Sequence, residues 1–103
     1  MQRRVFIFDL APGAEQEYIR RHRQIWPEML TLLQQSGIGN YSIWLWDGKV
    51  IGYYESEDLA ATDAYRAQSP VQARWSEYMR DILLPAQRDG RALPPAECVF
   101  FMR

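Results

Sequence analysis

Residues Arg4 to Leu10 (RVFIFDL) are dense in β-branched and aromatic side chains and read as a strand. Both of its faces are apolar, which predicts a central strand covered on both sides. Ala11-Pro12-Gly13 breaks the run. From Ala14 to Gln35 the period changes: Tyr18, His22, Ile25, Trp26, Met29 and Leu33 recur at helical spacings and predict one helix with a single apolar stripe. Glu15 and Glu17 suit its positive end, and Ser36-Gly37 supplies a C-terminal glycine cap. Pro27 falls inside this helix and is expected to cost a hydrogen bond and kink it.

Tyr41 to Trp46 (YSIWLW) returns to strand alternation, Asp47-Gly48 is a two-residue hairpin signal, and Val50 to Glu55 (VIGYYE) supplies the return strand. A helix is expected from Asp58 to Ala67. Ser69-Pro70 then marks an N-cap and a first-position proline, with Val71, Trp75, Met79 and Ile82 as the buried stripe and Tyr78 beside it. Pro85 to Pro95 (PAQRDGRALPP) reads as a loop, and Glu97 to Met102 (ECVFFM) as the last strand. Strand, helix, strand, strand, helical pair, strand is the order of a split β-α-β, ferredoxin-like α+β sandwich, here one domain over residues 1–103. Helices in this architecture cover one face of the sheet, so the apolar other face calls for a second copy. A homodimer is expected.

Composition narrows the function classes. Twelve Lys or Arg against 13 Asp or Glu leave a net charge of −1, without the basic excess that nucleic acid or an anionic membrane would need. The apolar start of the chain is short, is interrupted by Asp9 and lacks a small-residue cleavage site, so no signal peptide is expected. No run reaches membrane-helix length, and the cytoplasm is the default location. One Cys and one His argue against a disulfide framework and a His/Cys zinc site. Cys98, in an apolar strand-like run, reads as a buried inert thiol. Glycine-rich phosphate loops, GxSxG and HExxH are missing.

Candidate chemistry concentrates in the first helix. Tyr18 and His22 are four residues apart on the apolar stripe, so their side chains are neighbours that point at the sheet or into a cleft. An imidazole titrating near 6.5 can give and take a proton at neutral pH; a phenol beside it can hold a hydroxyl or act as a second acid. The same spacing also fits a core histidine packed beside a core tyrosine. Arg20, Arg21 and Arg23 read as a solvated face, with one of them able to brace a carboxylate near the site, and Glu28 either positions a ring hydroxyl or is merely exposed. Trp44, Trp46, Tyr53, Tyr54, Trp75 and Tyr78 read mostly as core, though several of them facing one cleft would suit a sugar ring.

Tyr18-x-x-x-His22, Ile25-Trp26-Pro27-Glu28, Gly37 and Asn40-Tyr41-Ser42-Ile43 together resemble the L-rhamnose mutarotase family. Arg74-Trp75, Tyr78-Met79 and Val99-Phe100 extend the likeness over nearly the whole chain. The resemblance implies a homodimer of the dimeric α+β barrel type, no metal or other cofactor, and an isomerase that interconverts the anomers of a 6-deoxy-L-sugar. It implies His22 as catalytic acid/base, Tyr18 and Tyr41 as sugar contacts, and Trp75 with Ser76 where the family often carries two adjacent tryptophans. Ser76 and the short Asp47-Gly48 hairpin leave L-fucose or another sugar open as substrate. Two other readings of the dimeric barrel stay open: a haem-dependent or cofactor-free oxygenase, and a non-catalytic ligand-binding module.

Overall fold

A computed structural model describes residues 1–103. The elements are β1 (Gln2–Leu10), α1 (Glu15–Arg23), α2 (Pro27–Gln35), β2 (Gly39–Trp46), β3 (Lys49–Ser56), α3 (Leu59–Ala67), α4 (Pro70–Met79), β4 (Leu83–Pro85), β5 (Gln87–Arg88) and β6 (Arg91–Ala92). The main sheet runs β2-β3-β1-β4 with every neighbouring pair antiparallel, the ferredoxin-like order expected of the chain. Asp47 and Gly48 both have positive φ, 51° and 73°, as the tight β2–β3 turn requires. Asp58 and Ser69 cap α3 and α4, their side chains accepting from the Ala61 and Gln72 amides.

The helical layer packs on one face. Tyr18, Met29, Leu32, Trp75, Met79 and Ile82 meet Leu10 and Val50 of the sheet, with Phe6 and Phe8 against them. Phe6 stands opposite Gly52 on the neighbouring strand. Its ring occupies the space a side chain there would need: a Cβ on Gly52 would lie 2.0 Å from Phe6 Cζ. A buried polar node ties α2 to α3 and β3: Thr62 donates to the Ser36 carbonyl at 2.6 Å and accepts from Ser56 at 2.7 Å.

The first helix differs from expectation. It is two helices, because Pro27 holds the first position of α2, where its missing N–H costs nothing. The residue before a proline avoids helical geometry, and Trp26 is accordingly extended at φ −62°, ψ 135°. The basic cluster also divides. Arg20 and Arg23 are exposed, whereas Arg21 is buried and bonds Glu17, Asp81 and the Tyr78 carbonyl, with its guanidinium 4.5 Å over the Tyr78 ring. The two arginines beside Glu17, Arg20 first, lower its pKa to about 2.

The fourth strand also lies elsewhere. Leu83–Pro85 fills the edge position beside β1, with Leu84 opposite Asp9, and is too short to announce itself by alternation. Within the expected loop, β5 and β6 form a small hairpin. Glu97 to Met102 is no strand, because β4 already occupies the edge beside β1; Arg3 instead stacks over the Phe101 ring at 3.5 Å. Cys98 is correspondingly an exposed free thiol.

Alternation leaves the other sheet face apolar and open. Val5, Ile7, Trp44, Trp46 and Leu84 are exposed there, beside Ile51 and Tyr53. Trp44 and Trp46, expected mostly as core, are each 67% exposed. No helix is long and apolar enough to cross a membrane.

Because the Phe6 ring fills the space above Gly52, Gly52→Ala should lower unfolding free energy by about 1–3 kcal/mol. Urea unfolding checks this; an unchanged midpoint at unchanged m-value would remove Phe6 packing as the reason for the glycine.

Candidate active site

Tyr18 and His22 stand one turn apart on the inner face of α1, and their rings stack with centroids 4.2 Å apart and planes 26° from parallel. His22 Nδ1 lies 3.2 Å from the Tyr18 backbone oxygen. A carbonyl oxygen only accepts, so in this bond Nδ1 carries the proton and Nε2 keeps the lone pair. From α4, Trp75 meets the imidazole edge-on at 5.5 Å. Trp75 is itself braced by Trp26 at 5.1 Å and Tyr78 at 5.6 Å. The proline break between α1 and α2 therefore has a use: it lets Trp26 leave the helical track and buttress the wall that holds His22.

Burial pushes the His22 pKa below its usual 6.5, an effect only partly offset by the bond to Tyr18. The imidazole is therefore neutral at physiological pH. Burial, and secondarily Tyr41, pushes the Tyr18 hydroxyl well above the usual 10. Tyr41 is pushed up to about 12 by burial, with the Arg66 charge pulling the other way. Both phenols are proton donors at neutral pH, and neither serves as a base. No fully buried side-chain N or O lacks a partner, so the Tyr18 hydroxyl, which bonds no protein group, keeps access to solvent.

Tyr41 reaches the site through an irregularity in β2. Gly39 pairs with Glu55 and Ser42 with Tyr53, so Asn40 and Tyr41 together face the single Tyr54. Asn40 takes up the extra length at φ 47° and donates its side-chain amide to Glu55. Tyr41 lies on the helix side of the sheet, 5.3 Å from the Tyr54 ring and edge-on to Phe6 at 6.2 Å.

These elements enclose a cavity of about 400 Å³ lined by His22, Ile25, Met29, Tyr41, Arg66 and Trp75 among others. That size and mixture of apolar wall with a few polar groups fit a small ligand. Tyr18 backs His22 rather than lining the cavity. Ser76 lies outside it, exposed on α4, where its hydroxyl accepts from the Gln72 amide at 3.0 Å. Glu28 is exposed in the first turn of α2. Arg66 and Asn40 also line the cavity, and nothing in the sequence marks them as site residues: Arg66 belongs to no apolar stripe, and no spacing rule announces the Asn40 bulge. No three His, Cys, Asp or Glu side chains converge as a metal cage. A larger hollow of about 830 Å³ lies between β1 and the C-terminal segment, and His22 and Tyr41 take no part in it.

A family model described as L-rhamnose mutarotase matches residues 3–102. The L-rhamnose mutarotase of Pectobacterium carotovorum subsp. carotovorum is 36% identical over 99% of both chains. That of Opitutus terrae is 40% identical over 81% of each. Among solved structures, the L-rhamnose mutarotase of Formosa agariphila superposes with a TM-score of 0.81 at 27% identity, covering 100% of both chains. Tetracenomycin F2 cyclase from Streptomyces glaucescens, a type II polyketide cyclase, covers 100% of this chain and 98% of its own with a TM-score of 0.74; at 15% identity it shares the fold alone. With the family model spanning nearly its whole length and relatives above 30% identity, the chain belongs to the L-rhamnose mutarotase family.

Proposed function

We propose that this protein is an isomerase that interconverts the α and β anomers of L-rhamnose by acid/base-assisted opening and reclosure of the ring. Family membership supports the reaction class. The observation that carries the mechanism is the His22 imidazole, tied at Nδ1 and without a protein partner at Nε2, in the wall of an aromatic cavity. Nε2 takes the proton of the anomeric hydroxyl as the bond from the anomeric carbon to the ring oxygen breaks. The ring oxygen receives a proton from a water held at the Tyr18 hydroxyl, which keeps access to solvent from behind His22. Rotation about the bond beside the aldehyde presents its other face, and the same proton transfers run in reverse, leaving enzyme and sugar in their starting protonation states. Tyr41 and Trp75 orient the ring, with the sugar methyl against the aromatic wall. Positioned proton transfer of this kind accelerates a reaction roughly 10²–10⁴-fold.

The apolar open face supports a homodimer joined sheet to sheet. Exposed Trp44, Trp46, Val5 and Ile7 form the kind of surface a monomer rarely leaves to water. The exposed free thiol of Cys98 suits a reducing compartment, and we place the enzyme in the cytoplasm.

Saturation-transfer NMR on the anomeric protons of L-rhamnose should show His22→Asn slowing exchange by roughly 10²–10⁴-fold at unchanged melting temperature; wild-type exchange in the variant would sink the assignment. The neutral imidazole is the base, so wild-type kcat/KM falls as pH drops through the lowered His22 pKa, and the midpoint of that limb lies below 6.5. A midpoint at or above 6.5 would contradict the burial argument. Sedimentation velocity should give twice the 12.2 kDa protomer mass. Ile7→Lys with Trp44→Glu should return it to a monomer; a dimer that survives both would place the interface elsewhere.

A further inference from the structure

Arg66, in the last turn of α3, is the one arginine or lysine among the residues lining the cavity that holds His22, Tyr41 and Trp75. It is half-buried and forms no ion pair. Asp63, one turn earlier, is already taken: Arg4 grips both its oxygens, at 2.6 and 3.0 Å. What Arg66 does have is an aim. Its Nε donates to Gln72 Oε1 at 2.8 Å, and Gln72 in turn donates to Ser76 Oγ at 3.0 Å. A guanidinium is planar, so holding Nε fixes the plane of the two remaining nitrogens. Those terminal groups donate to no protein acceptor, and four N–H donors are left for something in the cavity. Arg66 and Tyr41 line the same cavity.

The geometry points to Arg66 as a substrate-binding residue that donates from its terminal nitrogens to two neighbouring hydroxyl oxygens of the sugar. Gln72 and Ser76 act as positioning residues that hold its plane. Parallel donors of a guanidinium match the spacing of paired oxygens, whereas the rest of the wall is aromatic and aliphatic. Ser76 thereby acts on the cavity from outside it, through Gln72 and Arg66, without touching the sugar. The assignment rests on the mutarotase reading and deepens it, by naming the residue that reads the hydroxyl pattern of the sugar.

The test measures KM and kcat for L-rhamnose by saturation transfer, and Kd by quenching of tryptophan fluorescence, with Trp26 and Trp75 as reporters. Arg66→Met should raise KM and Kd together by about tenfold to a hundredfold, the range of a lost charged donor, with kcat within a few-fold of wild type. Gln72→Leu should raise KM less, and should add nothing in the Arg66→Met background, which a merely structural role for Gln72 would not produce. Arg66→Lys keeps the charge and the helix but not the fork, and should also raise KM. Wild-type KM in Arg66→Lys overturns the fork geometry, and wild-type KM in Arg66→Met overturns the assignment while leaving the mutarotase reading intact. A wild-type protein that neither binds nor exchanges L-rhamnose overturns both.

Discussion

The site depends on one hydrogen bond, from His22 Nδ1 to the backbone oxygen of Tyr18 one turn earlier. That bond uses the one ring nitrogen a helix can reach within itself, and so leaves the outward nitrogen as a base. The stacked Tyr18 ring and the edge of Trp75 keep the imidazole from turning over. They also strip water from it, which lowers its pKa and keeps it neutral. Orientation, tautomer and protonation state thus follow from one packing arrangement. Stability has the same linkage with opposite use. A histidine held neutral by burial contributes its full share above pH 6.5 and loses it as pH falls through the lowered native value.

The sheet assigns separate work to its two faces. The helix side carries the cavity: Phe6 over Gly52 packs against Tyr41 and Tyr54, and Tyr41 reaches the cavity from there. The other side is apolar and open, its residues alternating along β1 and β3 with those that face the helices. Strand period performs that division along β1 and β3, since each residue's neighbour points the other way, and the bulge at Asn40 sets it for Tyr41. A one-residue slip of β2 would turn Tyr41 and Ile43 from the cavity to the open face.

The first three strands, the Asp47-Gly48 hairpin and the caps at Asp58 and Ser69 were legible because each rests on local chemistry. The two-faced apolar character of β1 was legible too, in Val5 and Ile7 on one side and Phe6 and Phe8 on the other. Tyr18 and His22 were legible as neighbours because spacing along a helix states contact directly. What spacing could not state was how long the helix lasts: Pro27 fits a kink and a fresh first turn equally well until Trp26 is seen extended. The last strand was misplaced because β propensity describes a fit to a pleated, half-buried surface, and ECVFFM found no free place beside β1. Arg66 was illegible because its role comes from contacts with α4 across a turn, with Gln72 supplying the acceptor.

The chain has a single histidine, so its ring nitrogens give one pair of signals without assignment by mutation. A ¹⁵N-histidine NMR titration, with and without L-rhamnose, therefore tests the central claim most directly. The account predicts the tautomer protonated at Nδ1, a pKa below 6.5, and a shift at Nε2 on adding the sugar. A ring protonated at Nε2, or one whose signals ignore the sugar, would contradict it.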